Sequence, residues 1–229
     1  MSQTNWAVID ATHADAWTPA HRQESAAVAR TSYARMLHDL DRWADAFGSR
    51  DHRFVAVLEQ GRPWWQDELS ALAAERRLEV PFDRGTGPVF LLGLLGCLHR
   101  APGGRIAFVS GRHGWPIALQ DEVLDASFGA QSMPAIHVYG PAGRDWREGA
   151  VAAFGPMEAF LDAFRLVQPG LVQTFLRGFR RTAGRRDELI EELYPYLPEI
   201  DLYRDVLAPA VAAAPRFSAR VEHRELSAA

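Results

Sequence analysis

The sequence predicts an α/β domain, a mixed sheet flanked by helices with a helical C-terminal extension, on three observations. Continuous apolar runs of strand length occur at Phe54–Leu58, Arg105–Val109 and around Ile136–Tyr139. Such runs suit strands covered on both faces. Segments with apolar residues at helical spacing separate them, which implies parallel pairing through right-handed crossovers. Beyond residue 168 only helical spacing is left.

The elements follow in order. Residues 1–36 are polar and Ala-rich and read as an N-terminal arm that Trp6 and Trp17 could pin to a surface. Leu37, Leu40, Trp43, Ala44 and Phe47 have helical spacing, stopped by Gly48. Phe54–Leu58 is the first strand, ended by Gln60-Gly61. Asp67 to Arg77 reads as a short helix with Leu69, Leu72 and Ala73 inward. Pro88 suits the first turn of a buried apolar helix reaching His99, although Gly93 and Gly96 weaken it. After Gly103-Gly104 comes the strand Arg105–Val109, then a helix from Pro116 to Phe128 that Gly129 stops. Ser132 to Tyr139 is a strand entered through Pro134. Gly140-Pro141-Ala142-Gly143 is turn chemistry leading to a short strand around Asp145 to Val151. Gly155-Pro156 opens a helix with Phe160, Leu161, Phe164 and Val167 on one face. The expected organisation is therefore an arm over 1–36, a domain over 37–168 and a helical extension over 169–229 with a polar tail from Pro215.

Composition narrows function. The 229 residues are 48% hydrophobic and 24% charged, with a net charge of −4; this is globular and gives no bulk charge for nucleic acid. The longest apolar run, Pro88 to Leu98, is too short to span a bilayer, and the start of the chain lacks the pattern of a secretory signal. The cytoplasm is the expected location. All 25 basic residues are Arg, so lysine Schiff-base and P-loop lysine chemistry are excluded. One cysteine, Cys97, cannot form a CxxC pair or a cysteine zinc cage. The eight histidines are scattered without metal-ligand spacing. No glycine motif for a phosphate and no GxSxG elbow is present, and neither a cofactor nor a metal is expected.

The phrase Leu124-Asp125-Ala126-Ser127-Phe128-Gly129-Ala130-Gln131-Ser132-Met133-Pro134-Ala135-Ile136-His137-Val138-Tyr139 resembles the stretch of thioredoxins where a helix ends and a strand begins at a cis-proline. Gly143 and Gly155 match that family's hairpin glycine and the glycine before its last helix. Where thioredoxins carry CxxC, this chain has Gly61-Arg62-Pro63-Trp64-Trp65-Gln66-Asp67, so disulfide exchange is not carried over. The chain also resembles the thioredoxin-like HyaE-type hydrogenase-expression chaperones. Leu40-Asp41-Arg42-Trp43, Gly87-Pro88-Val89-Phe90-Leu91-Leu92-Gly93-Leu94-Leu95 and Met133-Pro134-Ala135 carry that likeness. The resemblance implies a thioredoxin-like fold and a redox-inactive assembly chaperone for a nickel-iron hydrogenase small subunit or its twin-arginine signal peptide. The long loop Leu78–Gly85 and the C-terminal extension depart from that pattern.

The candidate partner-binding residues are Trp64, Trp65, Asp67, Glu68, Met133 and Pro134. Two adjacent indoles can hardly both face one core, and aromatic anchors carry much of the energy of protein contacts; the plainer role is packing under the preceding helix. Asp67 and Glu68 can meet an arginine peptide or simply favour a helix start. Met133-Pro134 offers a backbone edge to an extended peptide or is a folding feature alone. No catalytic residue is expected. Two alternatives stay open: a single-cysteine peroxidase or transferase using Cys97, and a structural subunit docked through residues 169–214, where Arg177, Arg180, Arg181, Arg185 and Arg186 cluster.

Overall fold

The computed structural model describes residues 5–12, 26–47, 50–111, 135–141, 143–182, 185–214 and 221–226. Seven strands form one sheet among these residues: β1 (Asn5–Ala11), β2 (Arg53–Leu58), β3 (Arg77–Val80), β4 (Arg105–Ser110), β5 (Ile136–Pro141), β6 (Ala152–Pro156) and β7 (Val221–Leu226). Their order is β3-β2-β1-β4-β6-β5-β7. β6 runs antiparallel to both of its neighbours, while β1 pairs parallel with β2 and β4, β2 with β3, and β5 with β7. The helices are α1 (Ala26–Phe47), α2 (Arg62–Trp65), α3 (Thr86–Arg100), α4 (Trp146–Gly149), α5 (Met157–Val167), α6 (Pro169–Arg181), α7 (Arg186–Leu193) and α8 (Ala208–Ala213).

The central strands are apolar throughout because helices cover both faces. Alternation sends Trp6, Val8, Phe54, Phe108 and Val138 to one face, where α3, α5, α6 and α7 pack. Ala7, Ile9, Val55, Val57 and Val109 point to the other, against Tyr33, Met36, Leu37 and Leu40 of α1. A part-buried ion pair ties α1 to the start of β2: the Arg53 guanidinium, 2% exposed, donates to the more exposed carboxylates of Asp41 and Asp45.

The expected α/β class and the mixed sheet flanked by helices hold, but the thioredoxin-like arrangement does not. The strands expected at 54–58 and 105–109 are parallel, yet they do not touch. β1, within the stretch read as an N-terminal arm, lies between them and pairs with both. Residues 67–77, read as a helix, instead form turns, a 3-10 turn at Ala74–Arg76 and the edge strand β3. The strand expected near 145–151 begins at Ala152, after the short α4, whose start Asp145 caps by accepting from the Arg147 N–H at 3.0 Å. The described residues of 169–213 form α6, α7 and α8 with short 3-10 and π turns and a non-helical stretch at 197–201, and they belong to the main core, while residues 221–226 of the polar tail form a strand of the sheet. The helix expected from Pro116 to Phe128 lies outside the described residues. Among the described residues no helix is long and apolar enough to cross a membrane.

Candidate functional site

Strand order fixes where a site can form. From β1 the chain steps outward through β2 and β3, then α3 carries it back over the sheet to β4 on the other side of β1. In open α/β sheets, ligands bind at such a reversal, which here falls at the C-terminal ends of β1 and β4.

The residues at that reversal are polar where the strands are otherwise apolar. Alternation puts Asp10 and Ser110 on the face shared with Val8 and Phe108. Both are buried, and so is Thr12 just past the end of β1. One Asp10 carboxylate oxygen accepts the Thr12 N–H at 3.1 Å and the Thr12 hydroxyl at 2.6 Å, and the other accepts the Ser110 hydroxyl at 2.9 Å. The carboxylate thereby fixes the turn leaving β1 and ties the two strand ends across the reversal. From the opposite face, the Tyr33 hydroxyl of α1 donates to the Ala11 carbonyl at 2.8 Å. Burial, and secondarily the Asp10 charge, raise the Tyr33 phenol far above its ordinary range. It stays a donor at any physiological pH.

The N-terminus of α3 rises on the Asp10 face, held by a strap from further along the chain. The Gly87 N–H donates to the Ile200 carbonyl at 2.8 Å, and the Ile200 N–H donates to the Arg84 carbonyl at 3.0 Å. The Thr86 hydroxyl donates to Asp201 at 2.9 Å and accepts the Leu202 N–H at 2.7 Å. Gly85 has a φ of +81°, and a Cβ there would stand 2.4 Å from the Ile200 carbonyl oxygen, so glycine is required for both backbone and space. After the strap, Tyr203–Leu207 forms a π-helical turn that buries Tyr203 against Phe108, ring centroids 6.4 Å apart. The Tyr203 hydroxyl has no hydrogen-bond partner among the described residues. Burial first, then Asp201 and Asp10, push its pKa well up. Among the described residues no group of three or more His, Cys, Asp or Glu is placed to hold a metal ion.

No family model matches the chain, and no curated protein matches it. Solved structures do share its fold. A mannose-1-phosphate geranyltransferase from Thermus thermophilus superposes with a TM-score of 0.65 at 15% identity, over 98% of this chain and 74% of that one. A mannose-6-phosphate isomerase from Helicobacter pylori gives 0.57 at 10% identity, over 97% of each chain. A protein from Desulfovibrio desulfuricans described as a nucleotide-diphospho-sugar transferase gives 0.52 at 7% identity, over 99% of this chain and 81% of that one. At these identities the likeness is one of fold.

The comparison overturns the resemblance to thioredoxin-like HyaE chaperones and, with it, the reading as a non-enzymatic assembly chaperone for a hydrogenase small subunit. The matching structures are named as transferases and an isomerase, and the sheet has a central strand that the thioredoxin reading lacks. The Cys97 alternative falls as well: the thiol is fully buried in α3, and burial raises its pKa far above the ordinary range despite the opposing pull of Arg100 and Arg186. A nucleophilic thiolate needs the reverse. In residues 169–214 the apolar stripe of Leu171, Val172 and Phe175 faces the core, while Arg177, Arg180, Arg181 and Arg185 are exposed.

The residues read as a partner face are placed as follows. Trp65 is buried under α1, its indole N–H donating to the Leu58 carbonyl at 2.9 Å. Trp64 is half-buried, its ring tilted against Tyr33 with centroids 6.4 Å apart, so it stands behind the tyrosine that touches the end of β1. Asp67 and Glu68 are exposed; Glu68 lines a separate hollow of about 410 Å³ with His38, Asp41 and Arg76. Met133 and Pro134 lie outside the described residues. Sequence reasoning missed Asp10, Thr12, Tyr33, Thr86, Ser110 and Tyr203. The signal for the first two was present: Trp6 to Ala11 is a strand-length apolar run interrupted by a single acid near its end and followed by Thr12.

Proposed function

We propose that this chain is an enzyme acting on a nucleotide sugar or a sugar phosphate, with the substrate seated at the C-terminal ends of β1 and β4. The observation that carries the reading is the reversal of strand order with a buried Asp10–Ser110 bridge across it. The sugar-phosphate enzymes that share this fold support it. In this reading Asp10 is a positioning residue, since both of its oxygens are occupied by Ser110 and Thr12. It holds the two strand ends in a fixed relation. Tyr33 holds the β1 terminus from the far side, and the strap over α3 fixes the wall above Asp10.

The test is calorimetric titration of the full chain with a panel of nucleoside diphosphate sugars and hexose phosphates, followed by mass spectrometry for turnover. The expected result is saturable binding of one class and its conversion. Ser110→Ala, which removes the bridge to Asp10, is expected to weaken that binding several-fold while circular dichroism shows the fold intact. A panel with neither binding nor turnover, or a Ser110→Ala protein that folds and binds as before, would overturn the proposal.

A further inference from the structure

The other end of the central strands holds a second cavity, of about 970 Å³. It lies where α3 ends and α5 begins, beside the first residues of β1, β2 and β3. Strands of six or seven residues separate it from the reversal at their C-terminal ends, roughly 20 Å at the usual rise per residue. Its volume is in the range of pockets that enclose a small organic molecule. The floor is apolar: Leu95 and Leu98 of α3, Leu161 of α5, and Leu176 and Phe179 of α6.

Above one end of that floor sit two guanidinium groups. Arg186 lies over the Phe54 ring at 4.5 Å, and Arg100 lies over the same ring at 5.4 Å and over Trp6 at 5.8 Å. Trp6 and Phe54 are themselves stacked, 17° apart in plane. Arg186 gives one amino group to the Glu75 carbonyl. Its other amino nitrogen, Nη1, is buried with no acceptor among the described residues, and so is the Trp6 indole nitrogen. Arg100 makes no ion pair among the described residues. Two like charges on one aromatic shelf repel, and burial first, then the Arg100 charge, lower the Arg186 pKa against the opposing pull of Asp187, Cys97 and Glu75. Glu75, Glu158, Asp187 and Glu188 also border the cavity. Glu188 is committed to Arg185 at 2.9 Å, and none of the four accepts a hydrogen bond from Arg100 or from Arg186 Nη1. Aromatic rings stabilise a cation from below but supply no acceptor. The place between the two guanidiniums is therefore built for an oxyanion.

We infer that this cavity is a second binding site, for a soluble amphipathic anion whose carboxylate or phosphate head lies between Arg100 and Arg186 and whose hydrocarbon body covers the Leu161–Leu176–Phe179 floor. A concave volume of about 970 Å³ fits a single small molecule, whereas a bilayer surface would call for a projecting apolar face. The site is independent of the one proposed at the C-terminal ends of β1 and β4.

Isothermal titration of the full chain with decanoate and decyl phosphate, below their micellar concentrations, tests the assignment. Decanol, decyltrimethylammonium and inorganic phosphate serve as controls. The two anions are expected to bind one per chain, at least about tenfold tighter than decanol, with no binding of the cation. Arg100→Gln is expected to remove that preference for charge. Because Arg100 covers Trp6, Arg180→Glu on the exposed rim provides a second variant that leaves the core untouched; it is expected to weaken the anions several-fold and to leave decanol unchanged. Arg165→Gln, away from the cavity, is expected to change nothing. Decanol binding as tightly as decanoate, no binding by either anion, or a folded Arg180→Glu protein with unaltered affinities would overturn the inference. So would binding only to phosphatidylglycerol vesicles.

Discussion

Asp10 shows how one buried carboxylate can be tolerated in an apolar strand. It accepts from two hydroxyls and a backbone N–H, so the cost of burying it is offset by bonds to the charged form. Asp10→Ala strands those donors in a buried space, and a loss of about 2–3 kcal/mol is expected from urea unfolding. Tyr33→Phe removes one neutral bond to the Ala11 carbonyl and is expected to cost about 1 kcal/mol in the same measurement. Cys97 makes a prediction about pH. Burial raises its folded pKa above the unfolded value, so its stabilising contribution is complete below the ordinary thiol range and falls as pH rises through it, where only the unfolded chain ionises. Urea midpoints between about pH 7 and 10 are expected to decline more steeply for the native chain than for Cys97→Ala. A thiol reagent is expected to label Cys97 only as fast as the protein opens. The burial of Cys97 was legible from Leu94, Leu95 and Leu98 around it. For Asp10 only the strand-length run Trp6–Ala11 was legible; its role was not, because an acid at the end of such a run reads as solvated until the strand is known to be central.

At the scale of elements, α3 explains a conflict that the sequence poses. Its glycines lower helix propensity, yet the segment is helical, because close approach to the sheet outweighs that cost. A Cβ on Gly93 would stand 2.5 Å from a Val8 methyl of β1, so the glycine lets the helix lie down on the central strand. Gly93→Ala, favourable by propensity alone, is expected to destabilise by about 1–3 kcal/mol through overpacking, read from the thermal midpoint. The Arg53 pair with Asp41 and Asp45 anchors α1 to β2. Arg53→Ala is expected to cost about 2–3 kcal/mol, chiefly through the space it empties, and Arg53→Met less, since methionine fills that space; in both variants Asp41 and Asp45 are left exposed enough to stay hydrated. The apolar runs of β2, β4 and β5 and the helical spacing of α5, α6 and α7 were readable because burial leaves a period in the residues. The segment 67–77 was misread because Leu69 and Leu72 sit at helical spacing within what are turns. In β3, Arg77-Leu78-Glu79-Val80 is too short for its alternation to stand out.

For the whole molecule, residues after 167 are structural. Leu171, Phe175, Leu189, Tyr203 and Val206 join the same core as Phe54, Phe90 and Phe108, and the strap at Ile200 closes over α3. A chain ending at Val167 is therefore expected to lack a cooperative unfolding transition and native near-ultraviolet dichroism; a two-state melt from that fragment would contradict this. Topology was the least legible level. Strand-helix-strand alternation gives parallel strands but not their order, and the order here turns on β1, whose partners Arg53–Val57 and Arg105–Ser110 are far away in sequence. With residues 5–11 read as an arm, the remaining pattern fits a smaller sheet and so a different family. The far edge carries a consequence for biosynthesis. β7 covers the outer side of β5 through parallel pairing from Ile136 to Pro141. Until residues 221–226 leave the ribosome, β5 offers open backbone donors and acceptors to any neighbouring nascent chain, so translational stalling in the preceding stretch should leave products prone to clumping or in need of a holdase.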